Sequence, residues 1–301
     1  MRAWLPQFAC PDCTAAIDGD TVGALACPDC RRRFEYRDRI YRFLTPGRQA
    51  LAAPFLHQYH VVREQDGYRV GNPDYYRVLP AVAQSHPHAA EWRIRQQSYV
   101  ELQNRVLAGG GSRSILDLGA GNGWLSHRLA TLGHRVTAVD WWDDECDGLG
   151  VCRYYAAPIA CVQADFDALP FAPRQFDVVV FNGSLHYAPD VCATLNRARR
   201  MLAHGGVIAV MDSPMFRDDA DGHRMVSEKL TKFKTEYGLT EVVHPSIGFL
   251  TEAMLARAAR ALALRGRFYP SRGPLAWRMR RQLSSIRLGR AAAAFGVWIA
   301  R

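Results

Sequence analysis

The sequence predicts an α/β fold: a doubly wound, mostly parallel sheet with a small cysteine-bearing unit ahead of it. Three observations carry this expectation. From Arg113 onward, short apolar runs alternate with helical stretches, the pattern of a parallel sheet covered on both faces. A tight glycine turn joins the first of those runs to its helix. Two Cys-x-x-Cys pairs stand in the amino-terminal segment. A chain of 301 residues holds one large domain and a small appendage, and its ordinary composition (49% hydrophobic, 22% charged) is enough to bury a core.

The first element is the cysteine unit. Cys10-Pro-Asp-Cys13 and Cys27-Pro-Asp-Cys30 are separated by thirteen residues. Each pair sits on a short turn that aims two sulfurs at one point, and four thiolates complete the tetrahedron that zinc prefers. Such a closed site keeps no open position for chemistry, so the expected zinc is structural. Strand-like runs at Ala24–Ala26 and Phe34–Leu44 flank it. A unit this small has almost no apolar core of its own, which predicts that the metal supplies its folding energy.

Residues 49–112 follow as a helical lid or linker. Phe55–Gln65 reads as a helix, Gly71-Asn72-Pro73-Asp74 as a turn, and Glu91–Leu107 as a second helix with Trp92, Ile94, Tyr99, Leu102 and Val106 near helical spacing. Gly109 to Gly111 break it. Strands are then predicted at Ser114–Leu118, Arg135–Val139, Ile159–Gln163, Phe176–Phe181, Val207–Met211, Arg267–Pro270 and Phe295–Ala300. Helices are predicted at Trp124–Leu132, Val191–Leu202, Asp221–Tyr237 and Thr251–Leu264, the last capped by Thr251, and a further one around Leu275–Leu283. The implied boundaries are 1–48, 49–112 and 113–301.

The formal charge is +9, unevenly spread. Arg31, Arg32, Arg33, Arg37, Arg39 and Arg42 cluster early, and residues 271–301 carry seven arginines and no acidic residue. These stretches suit phosphate, an anionic acceptor or a membrane surface, and equally suit a plain solvated face. The longest apolar runs fall far short of the ~20 residues that span a bilayer. No targeting peptide is visible, so a soluble, cytoplasmic protein is expected, with reduced thiols available as metal ligands.

Most of the chemical information lies in Ile115-Leu-Asp117-Leu-Gly119-Ala-Gly121-Asn-Gly123-Trp-Leu. Glycine adopts positive φ and lets a ligand approach without a Cβ in the way. A dinucleotide turn wants its third glycine at position 124, which here is Trp. Asp117 just before the turn would repel a pyrophosphate and pair with a cation. Both departures disfavour a dinucleotide.

At these residues the chain resembles the class I S-adenosylmethionine-dependent methyltransferases of the type 11 group. The resemblance implies a Rossmann-like, doubly wound, seven-stranded sheet, mostly parallel with the last strand antiparallel. It implies that Asp117, Gly119, Gly121 and Gly123 wrap the methionine moiety of S-adenosyl-L-methionine. Asp140, ending the second strand, would bind the ribose hydroxyls; Asp165 would meet the adenine amino group, with Phe166 stacked on the ring. Asn182 opens the loop Phe181-Asn-Gly-Ser-Leu-His186-Tyr187, which would face the methyl group. The lid segment of that family places Tyr59, Arg63, Tyr75, Tyr76 and Arg77 near the ligand. Residues 8–46 resemble the small zinc-binding activator subunit of tRNA and protein methyltransferases, which implies zinc on Cys10, Cys13, Cys27 and Cys30.

His186 is the candidate catalytic residue, because histidine titrates near neutrality and an acceptor proton has to leave; the other reading of His186 is a residue that only shapes the pocket. The loop lacks an Asn-Pro-Pro-Tyr type of sequence, which speaks against amino-group methylation of DNA bases or glutamine. Three functions are open at this point: a methyltransferase acting on a small or medium-sized metabolite, an RNA methyltransferase using the ribbon and basic stretches, and a non-catalytic partner-binding module.

Overall fold

The computed structural model describes residues 4–18, 24–239, 246–271 and 288–301, together with Met279 and Ser285. The helix expected around Leu275–Leu283 and most of the arginine-rich stretch lie outside these residues.

Two short strands, β1 (Phe8–Ala9) and β2 (Ala16–Ile17), pair antiparallel around the first cysteine turn. Then come β3 (Ala24–Ala26), β4 (Arg33–Arg37) and β5 (Ile40–Arg42), with the second cysteine turn between β3 and β4. Helices α1 (Pro46–Gln65), α2 (Pro73–Val78) and α3 (Ala89–Leu102) make up the linker, α3 running on into a π turn at Gln103–Leu107. The alternating region holds β6 (Ser114–Leu118), α4 (Trp124–Thr131), β7 (Arg135–Asp140), β8 (Ile159–Gln163), β9 (Phe176–Asn182), α5 (Val191–Met201) and β10 (Leu202–Met211). After it follow β11 (Met215–Phe216), α6 (Asp219–Glu236), β12 (Leu250–Thr251), α7 (Glu252–Ala261), β13 (Gly266–Pro270) and β14 (Gly296–Ala300). Thr251 caps α7 through its side chain, 3.2 Å from the Met254 amide, as its position predicts.

The main sheet runs β13-β14-β10-β9-β6-β7-β8-β5-β4-β3. From β10 to β8 every pairing is parallel, and β14 is antiparallel to both β10 and β13. The chain moves outward from β6 to β7 and β8, then returns to place β9 on the other side of β6. The crevice at the carboxyl ends of β6 and β9 is thus a topological switch point, where open α/β sheets hold ligands.

The sheet has ten strands, which corrects the expected seven. The additional three come from the cysteine unit, because β5 joins β8 in parallel, Ile40 opposite Cys161 and Arg42 opposite Gln163. The notion that this unit lacks an apolar core also needs correction. Phe8, Leu25, Phe34 and Phe43 are buried in one cluster with Val162, Phe171 and Phe176 of the large domain. Strand β8 is buried throughout and offers an edge that would otherwise expose its backbone groups. The amino-terminal hairpin covers that edge and takes its core from the same surface.

Alternation along the central strands fills both faces. In β6, Leu116 and Leu118 join the cluster on one side while Ile115 joins the other; in β9, Val179 and Phe181 divide from Val178 and Val180 in the same way. Sheets buried on both faces need such continuous apolar runs.

Phe8→Ala removes a ring packed within 4.9–6.0 Å, centroid to centroid, of Tyr41, Phe43 and Phe171. It is expected to cost roughly 3–5 kcal/mol in urea unfolding, with loss of the hairpin and the sheet in a single transition. A small effect confined to a separate early transition would contradict the shared core.

Candidate functional site

Beyond the carboxyl ends of β6–β10 lies a cavity of about 220 Å³. The glycine turn forms its floor. Gly119, Gly121 and Gly123 have φ of +73°, +55° and +71°. The Gly119 and Ala120 amides both donate to the Val139 carbonyl, at 2.8 and 3.0 Å, which pins the turn across the end of β7. A Cβ on Gly119 would lie 2.3 Å from Ser184 Cβ, and one on Gly123 2.7 Å from Cys152 Sγ. Gly121 differs: a Cβ there would meet nothing nearer than 4.0 Å. Gly119 and Gly123 therefore serve close packing, and Gly121 leaves open space for a ligand.

Four carboxylates mark this end of the sheet, in different states. Asp117 does not line the cavity. It is buried behind the turn, where Ser126 Oγ donates to Oδ2 at 2.7 Å and Oδ1 has no partner among the described residues. Burial pushes its pKa up to about 7, with the Ser126 hydrogen bond opposing. Asp140 lines the cavity. Its Oδ2 accepts the Gly121 amide at 2.7 Å and its Oδ1 the Trp142 amide at 2.8 Å. Burial raises it to about 6 against those two bonds. Asp165 and Phe166 also line the wall. Asp165 accepts the Asp167 amide at 2.7 Å and Arg48 Nη1 at 2.5 Å, and burial raises its pKa in spite of both. Asn182 and Gly183 end β9 on the wall, and Asp212 follows β10.

His186 is absent from the cavity lining. Its ring lies buried with Nδ1 3.2 Å from Ser213 Oγ, and its carbonyl accepts the Gly248 amide at 3.2 Å. Tyr187, whose ring lies 4.2 Å from that of His186, faces the cavity in its place.

Helix α1 roofs the site. Arg48, Leu51, Phe55, Tyr59 and Arg63 fall at intervals of three and four residues, hence on one helical face, and all line the cavity. Phe55, Tyr59, Trp141, Trp142 and Tyr187 make its walls aromatic; Tyr59 packs edge-on to Trp142 at 6.1 Å and Phe55 edge-on to Tyr187 at 5.5 Å. Arg63 grips Asp147 with Nε and Nη2 at 2.5 and 2.9 Å, so the roof is clamped to the loop after β7 by a buried bidentate pair. Of the lid residues singled out from sequence, Tyr59 and Arg63 reach the cavity. Tyr75, Tyr76 and Arg77 do not: Tyr75 accepts from Trp92, Tyr76 binds the Cys146 carbonyl, and Arg77 binds that of Tyr154. Arg48, Trp141, Trp142, Arg95 and Asp212 escaped sequence reading. Pro46 at the start of α1 and the 48-51-55-59-63 spacing were the available signal for Arg48.

The cysteine turns form a second centre. The sulfurs of Cys10, Cys13, Cys27 and Cys30 all lie within 4.8 Å of one another, with Cys10–Cys30 at 3.6 Å and Cys13–Cys27 at 3.4 Å. A tetrahedron with ~2.3 Å metal–sulfur bonds has edges of ~3.8 Å, so four thiolates here suit zinc. Three of the early arginines are matched by carboxylates: Arg32 by Asp12, Arg37 by Glu35 and Asp38, and Arg42 by Asp38 and Asp143. That pairing reduces the basic face expected there.

Parts of the chain are similar to known proteins. A family model described as "Methyltransferase domain" matches residues 116–210, from β6 through β10. Over those residues the chain is similar to that family. An uncharacterised methyltransferase of Mycobacterium bovis is 36% identical over 101 residues, covering 34% of this chain and 51% of that protein. A malonyl-[acyl-carrier protein] O-methyltransferase of Enterobacter lignolyticus is 31% identical over 137 residues, covering 45% and 53%. The chain thus spans about half the length of these relatives. Among solved structures, the 1,6-didemethyltoxoflavin-N1-methyltransferase of Burkholderia thailandensis, with bound 1,6-didemethyltoxoflavin and S-adenosylhomocysteine, superposes with a TM-score of 0.49 at 16% identity, over 95% of this chain and 98% of that one.

Asp117 gives a pH signature. Its carboxyl titrates near 3.8 when unfolded and about 7 when folded, so the stability it contributes is full below pH 4 and is lost as pH rises through 7. Asp117→Asn should flatten the decline in unfolding free energy, read from urea titrations between pH 5 and pH 8, by on the order of a few kcal/mol. An unchanged pH profile would show that Asp117 ionises freely in the fold.

Proposed function

We propose that the protein is an S-adenosylmethionine-dependent methyltransferase acting on a small or medium-sized metabolite. The observation that carries this reading is the pairing of Asp140 with the open Gly121 turn on the floor of an aromatic-roofed cavity at the switch point. Asp140 keeps lone pairs beyond its two backbone hydrogen bonds, which suits a bidentate grip on ribose hydroxyls. Asp165 and Phe166 stand one strand further out, where adenine would lie, with Arg48 engaging the same carboxylate. Asn182, Gly183 and Tyr187 face the middle of the cavity, where the methyl group would be presented.

When bound, the cofactor supplies a methyl group already activated on a sulfonium. The protein's own contribution is alignment and exclusion of water. Aromatic faces and buried carboxylates attract the cationic centre. Helix α1, clamped by Arg63 and Asp147, keeps solvent from the reacting atoms. Among the glycines of the turn, Gly121 approaches the methionine moiety in this reading, and Asp117 fixes the start of α4 from behind. The enclosed roof supports a metabolite acceptor over a folded RNA. His186 would orient Tyr187 and the loop rather than meet the acceptor.

The same reading holds that residues 1–48 bind one structural zinc through Cys10, Cys13, Cys27 and Cys30, that 49–112 form the lid and that 113–301 form the catalytic domain. Among the described residues, no helix is long and apolar enough to cross a membrane.

Calorimetry tests the donor assignment. S-adenosylmethionine should bind with one site per chain, and Asp140→Ala should weaken it by at least tenfold, about 1.4 kcal/mol; absence of binding by the unaltered protein overturns the reading. Elemental analysis of the purified protein should find one zinc per chain. Cys27→Ser should lose most of that metal, and metal-free protein that folds as well as the original would refute the structural role.

A further inference from the structure

Among the charged residues of the cavity, Asp212 and Arg95 have no task in the donor reading and no ion-pair partner among the described residues. Asp212 directly follows β10, and Asp140 ends β7, three strands away in the sheet order. At 4.7–4.9 Å per strand this is a lateral separation of roughly 14 Å. Asp212 therefore stands apart from the floor that holds the ribose in the reading above.

Its local structure is unusual. Asp212 has φ of +55°, a left-handed conformation that costs a non-glycine residue about 1 kcal/mol or more and that clusters at functional sites. Ser98 Oγ donates to Oδ1 at 2.6 Å, while Oδ2 is buried with no hydrogen-bond partner among the described residues. Ser98 is itself fully buried and shares its hydroxyl with Ser271 at 2.9 Å. The carboxylate is thus held from one side only. Burial raises its pKa to about 6, against the Ser98 bond and the charge of Arg95, which suits a group that takes up a proton near neutrality.

Arg95 lies one turn before Ser98 on α3 and also lines the cavity. The other two arginines of the wall are paired, Arg48 with Asp165 and Arg63 with Asp147. Arg95 makes no hydrogen bond or ion pair among the described residues; its guanidinium rests over the Trp92 ring at 4.6 Å. A cation held by an aromatic face on the wall of a cavity is available to an incoming anion.

Resting on the methyltransferase reading, we propose that Asp212 and Arg95 form the acceptor half of the cavity, and that the acceptor is a planar aromatic acid carrying an ionisable O–H or N–H. Arg95 holds the acid group. The aromatic side chains among the cavity lining favour a flat ring. The Asp212 carboxylate accepts the proton of the O–H or N–H. The freed electron pair on oxygen or nitrogen forms the new bond to the methyl carbon, and the carbon–sulfur bond breaks with its pair passing to sulfur. The products are the methylated acceptor, S-adenosylhomocysteine and protonated Asp212, which returns its proton to solvent. Asp212 would be the catalytic residue and Arg95 the determinant of specificity.

Binding by calorimetry, in saturating S-adenosylhomocysteine, tests this without turnover. The probes are 4-hydroxybenzoate, its amide and benzoate, with the naphthalene and quinoline analogues of each. The hydroxy acids should bind at least tenfold more tightly than the hydroxy amides, and more tightly than the acids without hydroxyl. Arg95→Met should abolish the preference for the acid, and Asp212→Asn the dependence on the hydroxyl, each leaving the other preference in place. Equal affinity for acids and amides, preferences that survive in both variants, or no binding by the whole panel would overturn the assignment. Failure of S-adenosylhomocysteine itself to bind would instead overturn the methyltransferase reading, so the two failures are distinguishable. S-adenosylhomocysteine affinity also reports whether each variant is folded.

Discussion

The backbone turn after β6 is the constraint on which the rest of the site depends. Two amides, from Gly119 and Ala120, converge on one carbonyl of Val139, and this pair of hydrogen bonds fixes the chain across the end of the neighbouring strand. Closure to that degree requires positive φ at Gly119 and brings its Cα against Ser184, where no side chain fits. Once the turn is set, the Gly121 amide meets Asp140 and α4 starts at Trp124. Asp117 is sealed behind it, with a hydroxyl of α4 as its one side-chain donor. Floor, carboxylate and helix are consequences of one tight passage of the main chain.

Around that floor the electrostatics are arranged by pairing. Buried carboxylates are costly unless matched. Asp147 is met by Arg63 and Asp165 by Arg48, both from α1, so the same contacts that neutralise charge also hold the roof over the cavity. A further tie comes from α6, whose Lys232 reaches Asp66 at the end of α1 at 3.1 Å, joined by Tyr237. The roof is held at both ends. Among the described residues, Asp140 is matched by backbone amides alone and Asp212 by one serine, which leaves these two carboxylates with capacity to spare on the cavity wall.

Much of this was legible in the residues. The apolar runs at 114–118, 135–139, 159–163 and 176–181 coincide with β6–β9 to within one residue, because strands buried on both faces carry an unbroken apolar signal. The glycine turn and Asp140 are readable for a similar reason: each is placed by its position at a strand end. The cysteine spacing likewise brings its four sulfurs together. Less legible was the reach of α1, whose first turn holds Arg48, since its mixed apolar and charged face gives a weak periodic signal. His186 shows the limit of local reasoning. Its neighbour Tyr187 takes the cavity wall, and a one-residue difference within a short 3₁₀ turn decides which side chain points inward.

The sequence by itself determined the strand order's raw material: which segments are strands, where the chain turns back, and which strand ends carry carboxylates. Those properties follow from periodicity and from the few residues able to adopt positive φ. Only the tertiary structure decided that the amino-terminal hairpin extends the sheet to ten strands, since β5 pairs with β8 across more than a hundred residues and leaves no local trace. Only it could show that Ser98 and Arg95 of α3 meet the end of β10, or that Asp212 is strained there with one oxygen unpartnered among the described residues. Contacts between distant segments depend on how faces pack, and packing is a property of the assembled surfaces rather than of any one stretch of chain.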